Sequence, residues 1–280
     1  MTFMKLEVPE YAYMFAFLQM DGHLEKGRGK KGRLSVEIGY QDVEILHRFR
    51  ELTPYPSTVG ERTRATNFAE EHRSAIWTLC SLEARTLLHD LGLPHGRKSS
   101  LVTPPRNPFA EADYVRGLVD ADGSVGRTSQ GLPFVALTTA STALARYFCS
   151  YGALVTGAHR TVRRNSRDRV YNVLYTKEAA LALIRHLYYP DCLALERKQK
   201  AAREALGWTR PAGMKKRTPG RRWHPWEDEV LLRCEGPAEA AALLGRSESS
   251  CYMRLWRFRR GDLSLAAPGR GAQEVRREGP

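Results

Sequence analysis

The feature of this sequence that most constrains its fold is a pair of similar segments about 100 residues apart. Residues 114–125 read Tyr-Val-Arg-Gly-Leu-Val-Asp-Ala-Asp-Gly-Ser-Val, and residues 13–23 read Tyr-Met-Phe-Ala-Phe-Leu-Gln-Met-Asp-Gly-His. Each begins with tyrosine, continues through an apolar run and ends in Asp-Gly at the same offset, so Asp21 corresponds to Asp122. A lone Asp-x-Asp-Gly would most simply be the polar end of a core helix, but the second copy indicates two related halves.

The second copy has the spacing of an α-helix with one very small face. Apolar residues at i, i+3 and i+4, counted from Val115, form the stripe of a helix that is packed on one side. Gly117 and Ala121, four positions apart, leave a face with almost no side chain, so another backbone can approach closely. Gly123 can take the left-handed conformation that ends helices.

Together, the two segments resemble the paired motifs of the LAGLIDADG homing endonucleases. The match is close in the second copy, Val-Arg-Gly-Leu-Val-Asp-Ala-Asp-Gly, and looser in the first. In that family the two motif helices pack against each other about a pseudo-twofold axis, and the last aspartate of each motif binds divalent metal at a scissile phosphate. The resemblance therefore implies that Asp21 and Asp122 are catalytic and bind the metal.

The first copy departs from the family pattern at three positions. Gln19 stands where the second copy has Asp120, so we assign Asp120 a supporting role, in the fold or in the chemistry on one strand. Phe15 and Met20 stand where the family usually has small residues, whereas Ala16 keeps one position for close contact. We expect the two motif helices to pack less symmetrically than the shared motif suggests.

The family also places one lysine from each repeat beside the active-site waters. Lys198, in Leu-Glu-Arg-Lys-Gln-Lys, matches this position in the second repeat, and Lys98, in Gly-Arg-Lys-Ser, is its counterpart in the first. Such a lysine could polarise the nucleophilic water or stabilise the charge on the phosphorane. The alternative is a solvated basic surface, and Arg97, Arg197 and Lys200 are rivals for the same catalytic role.

The metal that the resemblance implies is magnesium. Hydrolysis of a phosphodiester needs an activated water and a Lewis acid at the leaving oxygen. Carboxylates suit Mg²⁺, which prefers hard oxygen ligands and keeps several waters. We expect Mg²⁺ to support cleavage, and Ca²⁺ to support binding without cleavage.

The order of predicted elements repeats around the two segments, which indicates a duplicated αββαββα unit of the α+β class with antiparallel sheets. Residues 33–40 alternate apolar and polar side chains, as a half-exposed strand does. Asp42 is placed to cap the helix that follows. In chain order we predict strands over 33–40, 74–80 and 132–139, a hairpin with strands over 158–164 and 169–175, and helices over 43–52, 82–91, 142–151, 178–187 and 194–206.

Proline, glycine and charge set the domain boundaries. Three prolines interrupt 101–111, and 207–222 carries six basic residues and no acid. We predict a first repeat at 1–100, a linker at 101–111, a second repeat at 112–206, a basic linker at 207–222, a small helical module at 223–260 and a disordered tail at 261–280.

The small module resembles Myb/SANT-like and related helix-turn-helix domains. Trp-Glu-Asp-Glu at 226–229, Leu-Leu-Gly-Arg-Ser at 243–247 and an arginine-rich third helix at 248–260 carry the resemblance. The family fold implies that the third helix enters the major groove. We expect the tryptophans of the module, Trp223, Trp226 and Trp256, to form its core rather than a stacking platform.

The charge of the chain favours a polyanionic partner. Forty-four Lys and Arg against 31 Asp and Glu give a net charge of +13, which indicates nucleic acid before a membrane surface. No run approaches the roughly 20 apolar residues of a membrane span, and the N-terminus lacks the pattern of a signal peptide. Five scattered cysteines indicate neither a zinc site nor a disulfide framework. We expect a cytoplasmic or nucleoid-associated monomer that binds double-stranded DNA without a protein partner.

The residues predicted to contact DNA lie on turns, on outward strand faces and on the third helix of the module. A twisted antiparallel sheet can lie along the major groove, and most of the contacts should be to phosphates. The predicted set is Arg28, Lys30, Lys31, Arg33, Ser35, Glu37, Arg62, Arg64, Arg127, Ser129, Gln130, Arg160, Arg163, Arg164, Arg167, Arg169, Arg254 and Arg257.

The sequence thus predicts a site-specific homing endonuclease that makes a metal-dependent double-strand break in a long DNA target. Because no intein splicing signature is visible, we expect a free-standing enzyme encoded within an intron or a phage-like element. The alternative is an RNA maturase or a transcription regulator that binds on the same scaffold without cleavage. A third possibility is a transposon-type protein in which only the helix-turn-helix module binds DNA.

Overall fold

The first repeat contains the predicted αββαββα order in full. The computed structural model describes residues 2–26, 32–66, 69–214 and 223–263. Within the first compact unit, Met1–Pro211, the first repeat consists of α1 (Pro9–Asp21), β1 (His23–Leu24), β2 (Leu34–Gly39), α2 (Val43–Leu52), β3 (Ser57–Thr66), β4 (Ala69–Leu79) and α3 (Leu82–Asp90). Its strands form an antiparallel sheet in the order β1-β2-β4-β3.

The second repeat has the same order with one strand fewer and one further helix at its end. It consists of α4 (Glu111–Asp122), β5 (Gly123–Arg127), β6 (Pro133–Thr139), α5 (Thr142–Thr156), β7 (Tyr171–Thr176), α6 (Lys177–Leu187) and α7 (Glu196–Leu206). Its antiparallel sheet has the order β5-β6-β7. Together the two repeats confirm the predicted α+β class with antiparallel sheets.

The predicted hairpin of the second repeat is wrong in its first half. Residues 158–164 form no strand, and β7 pairs directly with β6. An arginine occupies part of the place of the missing strand, because Arg160 Nε donates to the carbonyl oxygen of Leu174 in β7 at 3.1 Å. Arg164 Nη2 donates to the carbonyl oxygen of Ala140, just after β6, at 3.1 Å. A side chain therefore satisfies a carbonyl oxygen on the edge of β7 that a neighbouring strand would otherwise cover.

The two repeats meet where α4 crosses α1. A methyl group added at Gly117 would lie 2.5 Å from the carbonyl oxygen of Tyr13 and 2.8 Å from Cβ of Ala16. Only glycine allows the two helices this approach, so the small face predicted at Gly117 and the close contact predicted at Ala16 are confirmed. Both helices are deeply buried, with α1 enclosed from Tyr11 to Gln19.

The glycine that ends the second motif serves a different purpose from the predicted one. Gly123 has φ −111° and ψ −168°, so the chain leaves α4 in an extended conformation and the predicted left-handed cap is wrong. A side chain at Gly123 would clash with the carbonyl oxygen of Ala136 on the neighbouring strand. Gly123 is therefore required by the close passage of β6, which lets β5 begin immediately after the motif helix.

Aromatic packing in each repeat joins the helices to the sheet. In the first repeat Phe49 of α2 contacts Phe17 and Trp77 edge-on, at ring-centroid distances of 5.5 and 6.3 Å. In the second repeat Phe148 of α5 contacts Tyr175 in the same manner at 5.8 Å. Edge-to-face pairs of this kind add to the burial of the rings, and they fix the orientation of each sheet on its helices.

Three short helices form among the described residues of the second unit, Ala212–Pro280. They are α8 (Pro225–Arg233), α9 (Pro237–Leu244) and α10 (Glu248–Arg259), and their buried core is Leu231, Ala240, Leu244 and Cys251. Trp223 packs against this core, but Trp226 and Trp256 are 53% and 39% exposed, so their predicted place in the core is wrong. No helix in the described ranges is both long and apolar enough to cross a membrane.

Two ion pairs stabilise the small module, and Trp223 packs against both of them. Arg246 pairs with Glu227 at 2.7 Å, and Arg254 pairs with Asp228 at 2.6 Å. Both guanidinium groups lie over the ring of Trp223, at 4.1 and 5.4 Å from its centroid. The acidic first turn of α8 is therefore held by arginines from the turn after α9 and from α10.

The helix crossing predicts a steep response to a single methyl group. We expect Gly117→Ala to lower the free energy of unfolding by about 1–3 kcal/mol or more, because the added methyl must displace the Tyr13 backbone. Chemical denaturation measures this change. Gly60→Ala in β3 is the control, because a methyl group there would find its nearest neighbour at 3.9 Å. Equal stabilities of the two variants would contradict the close crossing.

Candidate active site and nucleic-acid interface

The two aspartates that end the motif helices share one electrostatic environment. Asp21 is the last residue of α1 and Asp122 is the last residue of α4, and both side chains reach solvent. Partial burial, reinforced by repulsion from Asp122, raises the pKa of Asp21 to about 6. Partial burial also raises the pKa of Asp122. The helix crossing therefore brings together two carboxylates that would gain from a nearby cation.

A buried lysine lies beneath the end of each motif helix. Lys98 Nζ donates to the carbonyl oxygens of Gln19 at 2.7 Å and Met20 at 2.5 Å. Lys198 Nζ donates to those of Val119 at 2.8 Å, Asp120 at 2.6 Å and Gly123 at 2.9 Å. Each ammonium group therefore donates to carbonyls in the last turn of a motif helix, at the end where the helix dipole favours positive charge.

The two lysines do not belong to a solvated basic surface. Lys98 and Lys198 are 6% and 5% exposed. Desolvation lowers the pKa of Lys98 to about 8, and attraction to Asp21 and Asp122 opposes this shift. Desolvation also lowers the pKa of Lys198, with attraction to Asp120 opposing it. The predicted lysines are thus positioned within the electrostatic field of the carboxylates.

The alternative candidates for the catalytic role of the lysines are Arg97, Arg197 and Lys200, and their environments differ. Arg197 Nε lies 2.9 Å from both carboxylate oxygens of Asp42. Asp42 makes no side-chain cap at α2, so its predicted capping role is wrong, because its carboxylate binds Arg197 instead. Arg97 has no ion pair within the described ranges, and Lys200 is exposed. Only the first repeat therefore presents an unpaired arginine beside its lysine.

A recess of about 500 Å³ opens beside Asp21. Its lining includes Asp21, His23, Arg97, Lys98 and Ser99. One carboxylate, two basic groups and a hydroxyl thus face one space, a combination suited to a phosphate held with a cation.

Gln19 and Asp120, two residues before the terminal aspartates, are buried. Each accepts a hydrogen bond from the motif tyrosine of the opposite helix. The Tyr13 hydroxyl donates to Asp120 Oδ2 at 2.8 Å, and the Tyr114 hydroxyl donates to Gln19 Oε1 at 2.5 Å. Burial raises the pKa of Asp120, and hydrogen bonds to its carboxylate oppose this effect. Asp120 is 1% exposed, so it lies in the interior between the helices rather than in the recess.

The outward face of the first sheet carries the predicted polar side chains. Ser35 and Glu37 alternate with buried Leu34 and Val36, so the predicted alternation of β2 is confirmed. Glu37 accepts a hydrogen bond from Ser74 Oγ at 2.7 Å. Glu37 also pairs with Arg64 at 3.2 Å and Arg62 at 3.8 Å, and Arg33 pairs with Glu25 at 2.9 Å. Several predicted contacts are therefore part of an internal charge network on this face.

The predicted arginines of the second repeat fall into two groups. In the first group, Arg127 donates to the carbonyl oxygen of Glu204 at 2.7 Å and Arg167 pairs with Asp168 at 2.9 Å. Arg160 and Arg164 also belong to it, because they donate to the carbonyl oxygens of Leu174 and Ala140. Arg163 and Arg169 are exposed and have no ion pair among the described residues. Ser129 and Gln130 are exposed in the turn between β5 and β6.

Three predicted contacts lie outside the described residues, and one is held inside the module. Arg28, Lys30 and Lys31 fall in 27–31, and the basic residues at 215–222 and the predicted tail from 264 also lie outside the described ranges. Arg254 is engaged with Asp228, whereas Arg257 is exposed on α10.

The sheets also expose polar residues that the sequence analysis did not single out. Thr58 of β3 and Thr78 of β4 stand in register on the outward face of the first sheet, beside Ser35. Thr138 of β6 and Asn172 of β7 are exposed on the second sheet, where Thr138 Oγ1 donates to Asn172 Oδ1 at 2.9 Å. The alternation within the predicted strands was the available signal, because it places these side chains on the solvent face.

Comparison with known proteins finds a family match within the second repeat. Residues 110–188 match the family model described as the LAGLIDADG-like domain. A comparison with curated protein sequences found no match.

Solved structures of several homing endonucleases are similar to this chain. The homing endonuclease I-WcaI bound to its DNA recognition sequence is 11% identical, over 69% of this chain and 87% of that chain, with a TM-score of 0.47. The meganuclease I-SmaMI bound to uncleaveable DNA is 13% identical, over 84% and 97%, with a TM-score of 0.46. The LAGLIDADG homing endonuclease I-GzeII in complex with its DNA target is 11% identical, over 70% and 87%, with a TM-score of 0.45.

The raised pKa of Asp21 predicts a pH-dependent effect on stability. An ordinary aspartate titrates near about 4. A raised pKa in the folded state therefore gives stability that is complete below about pH 4 and is lost as the pH rises through about 6. We expect Asp21→Asn to raise the melting temperature above pH 6, and the difference from the original protein to vanish below pH 4.

Melting curves from pH 3.5 to 8 measure this effect. Asp90→Asn is the matched control, because Asp90 also ends a helix, α3, and is exposed. A gain from Asp21→Asn that is equal at every pH, or no larger than that of Asp90→Asn, would contradict the electrostatic coupling at the recess.

Proposed function

We propose that this chain is a site-specific DNA endonuclease of the homing type, which makes a metal-dependent double-strand break by phosphodiester hydrolysis. The observation that carries the proposal is the convergence of Asp21 and Asp122 at the ends of two crossed helices, with Lys98 and Lys198 beneath them. A protein that only binds nucleic acid has no need of two adjacent carboxylates, since carboxylates repel phosphate. One chain supplies both halves of the site, so we propose that it acts as a monomer.

The donor groups at the site fit magnesium. Asp21 and Asp122 offer hard oxygen ligands, and partial burial, which raises both pKa values, disfavours their charged forms unless a cation is near. No group of three or more His, Cys, Asp or Glu side chains is placed to hold a metal in the described part of the chain. This agrees with an ion that keeps several waters. Bound Mg²⁺ would supply a Lewis acid at the phosphate, and Ca²⁺ would support binding without cleavage.

The buried lysines would act on the phosphate through their charge, and the recess arginine would act by direct contact. Lys98 and Lys198 hold positive charge at fixed positions beside the carboxylates, where charge develops on the phosphate during hydrolysis. Arg97 is exposed in the same recess and can contact a phosphate oxygen. The hydrogen bonds of the lysines to helix carbonyls keep both ammonium groups oriented before DNA arrives, so little reorganisation is needed.

The polar outer faces of the two sheets would contact the DNA. Ser35, Thr58 and Thr78 on the first sheet, and Thr138 and Asn172 on the second, present donors and acceptors suited to base edges. The exposed arginines beside them would contact phosphates. The net charge of +13 supports a polyanionic partner.

We further propose that the small module is a Myb/SANT-like helix-turn-helix domain that adds DNA affinity. Its third helix, α10, presents exposed Arg257 and Arg259, whereas Arg254 stabilises the module through Asp228. In helix-turn-helix domains the corresponding helix enters the major groove. An intracellular location, in the cytoplasm or at the nucleoid, follows from a DNA substrate.

A cleavage selection on a randomised duplex library, with Mg²⁺, tests the proposed activity. We expect the protein to enrich and cut one sequence class, and Asp122→Asn to bind the same duplex with similar affinity in Ca²⁺. We expect that variant to cut more than about 100-fold more slowly in Mg²⁺, because it lacks one metal-binding carboxylate. Asp90→Asn is the control, since Asp90 ends a helix remote in sequence from both motifs.

Two results would overturn parts of this proposal. Normal cleavage by Asp122→Asn would remove the carboxylate from the mechanism. Specific binding with no cleavage by the unmodified protein, in Mg²⁺ or Mn²⁺, would instead support the alternative of a maturase or regulator built on the same scaffold.

The role of α10 is tested by the salt dependence of binding. Each phosphate contact contributes about 0.9 to the slope of log affinity against log salt concentration. We expect Arg257→Ala combined with Arg259→Ala to make the slope about 2 less steep and to leave cleavage of bound DNA unchanged. Arg233→Ala on α8, also exposed, is the control. An unchanged slope in the double variant would exclude α10 from the DNA interface.

A further inference from the structure

We propose that Tyr13 and Tyr114 are crossed positioning residues, each of which fixes the lysine of the opposite repeat. Tyr13 belongs to the first repeat but acts on Lys198, and Tyr114 belongs to the second repeat but acts on Lys98. The inference rests on the proposed function, because it takes the two lysines as groups that stabilise charge on the phosphates being cleaved, and it adds that each lysine serves one strand. It adds a physical connection between the two halves of the site.

The connection from Tyr13 to Lys198 passes through Asp120. The Tyr13 hydroxyl donates to Asp120 Oδ2 at 2.8 Å. The same carboxylate accepts the Tyr188 hydroxyl at 2.7 Å and the backbone N–H of Leu195 at 2.8 Å. Leu195 is the N-cap residue immediately before α7, and Lys198 lies in the first turn of that helix. Asp120 thus holds the start of the lysine-bearing helix, and Tyr13 holds Asp120 from across the crossing.

The connection from Tyr114 to Lys98 passes through Gln19. The Tyr114 hydroxyl donates to Gln19 Oε1 at 2.5 Å. Gln19 Nε2 in turn donates to the carbonyl oxygens of Gly92 and Thr103, each at 3.1 Å. These two carbonyls flank the segment that carries Lys98. The amide of Gln19 therefore closes that segment at both ends, while Tyr114 fixes the orientation of the amide.

The two connections have the same plan although their chemistry differs. Tyr13 and Tyr114 occupy equivalent positions in the two motifs, and so do Gln19 and Asp120. An amide donates to two carbonyls in the first repeat, whereas a carboxylate accepts a hydroxyl and an N–H in the second. All four side chains are at most 1% exposed, so water cannot replace a lost partner. This explains the difference between Gln19 and Asp120. The segment that Gln19 holds presents carbonyl acceptors, whereas the segment that Asp120 holds presents hydroxyl and N–H donors.

Crossed connections predict crossed effects on cleavage. Lys98→Met and Lys198→Met identify the DNA strand that each lysine serves, on a duplex labelled separately on its two strands. We expect Tyr13→Phe to slow the strand that Lys198→Met slows, by about fivefold, and Tyr114→Phe to slow the strand that Lys98→Met slows by a similar factor. This corresponds to one hydrogen bond of ordinary strength. Equal slowing of both strands, or slowing of the uncrossed strand, would overturn the proposal.

A second measurement does not depend on cleavage. The reaction rates of Lys98 and Lys198 with an amine-specific reagent, followed by mass spectrometry, report how firmly each ammonium group is held. We expect Tyr13→Phe to raise the rate of Lys198 about fivefold and to leave Lys98 unchanged, and Tyr114→Phe to do the reverse. If no DNA is cut, the proposed function fails, and the labelling still decides whether the crossed connections exist.

Tyr11→Phe is the matched control for both measurements. Tyr11 lies on the same helix as Tyr13, and its hydroxyl donates to the carbonyl oxygen of Leu52 at 3.2 Å, away from the lysine segments. We expect no change in either lysine rate. If one of the two tyrosine variants fails to fold, the other tests the crossed connection by itself, because each makes its own prediction. Reaction rates that follow the mutated repeat rather than the opposite one would overturn the proposal.

Discussion

The contact on which the first unit depends is the approach of α4 to the backbone of α1 at Gly117. The absence of a side chain lets the carbonyl of Tyr13 and the methyl of Ala16 come within reach of the α4 backbone. This approach places the hydroxyl of each motif tyrosine beside the acceptor of the opposite helix, and it brings the two terminal carboxylates into electrostatic contact. A wider crossing would lose these hydrogen bonds and the shared site together.

The cost of bringing like charges together is offset locally. Desolvation and repulsion from Asp122 raise the pKa of Asp21, and attraction to Lys98 and Lys198 opposes this shift. Burial in turn lowers the pKa values of the two lysines. Each lysine also satisfies the carbonyls at the end of a motif helix, so one residue serves the helix end and the site. The arrangement leaves a recess in which a divalent cation and a phosphate would stabilise one another.

The parts of the fold and site that repeat in the sequence were predictable, and the parts set by tertiary contacts were not. The duplicated tyrosine-to-aspartate segments indicated two packed helices, and the small face at Gly117 indicated their close approach. At 158–164 the arginines bind backbone carbonyls with their side chains instead of forming a strand, and the number of arginines in the sequence cannot distinguish this from a hairpin. Asp42 has the position of a helix cap, but Arg197, 155 residues later, takes its carboxylate.

We propose that Asp21 and Asp122 bind metal at one shared site, and iron-directed oxidation of the backbone distinguishes this from two separate sites. Fe²⁺ in place of Mg²⁺, with ascorbate and peroxide, breaks the chain near the bound ion. We expect breaks beside both aspartates, suppressed by excess Mg²⁺ and weakened at both places by Asp122→Asn. Breaks beside only one aspartate, or breaks at both that persist unchanged in Asp122→Asn, would contradict a shared site.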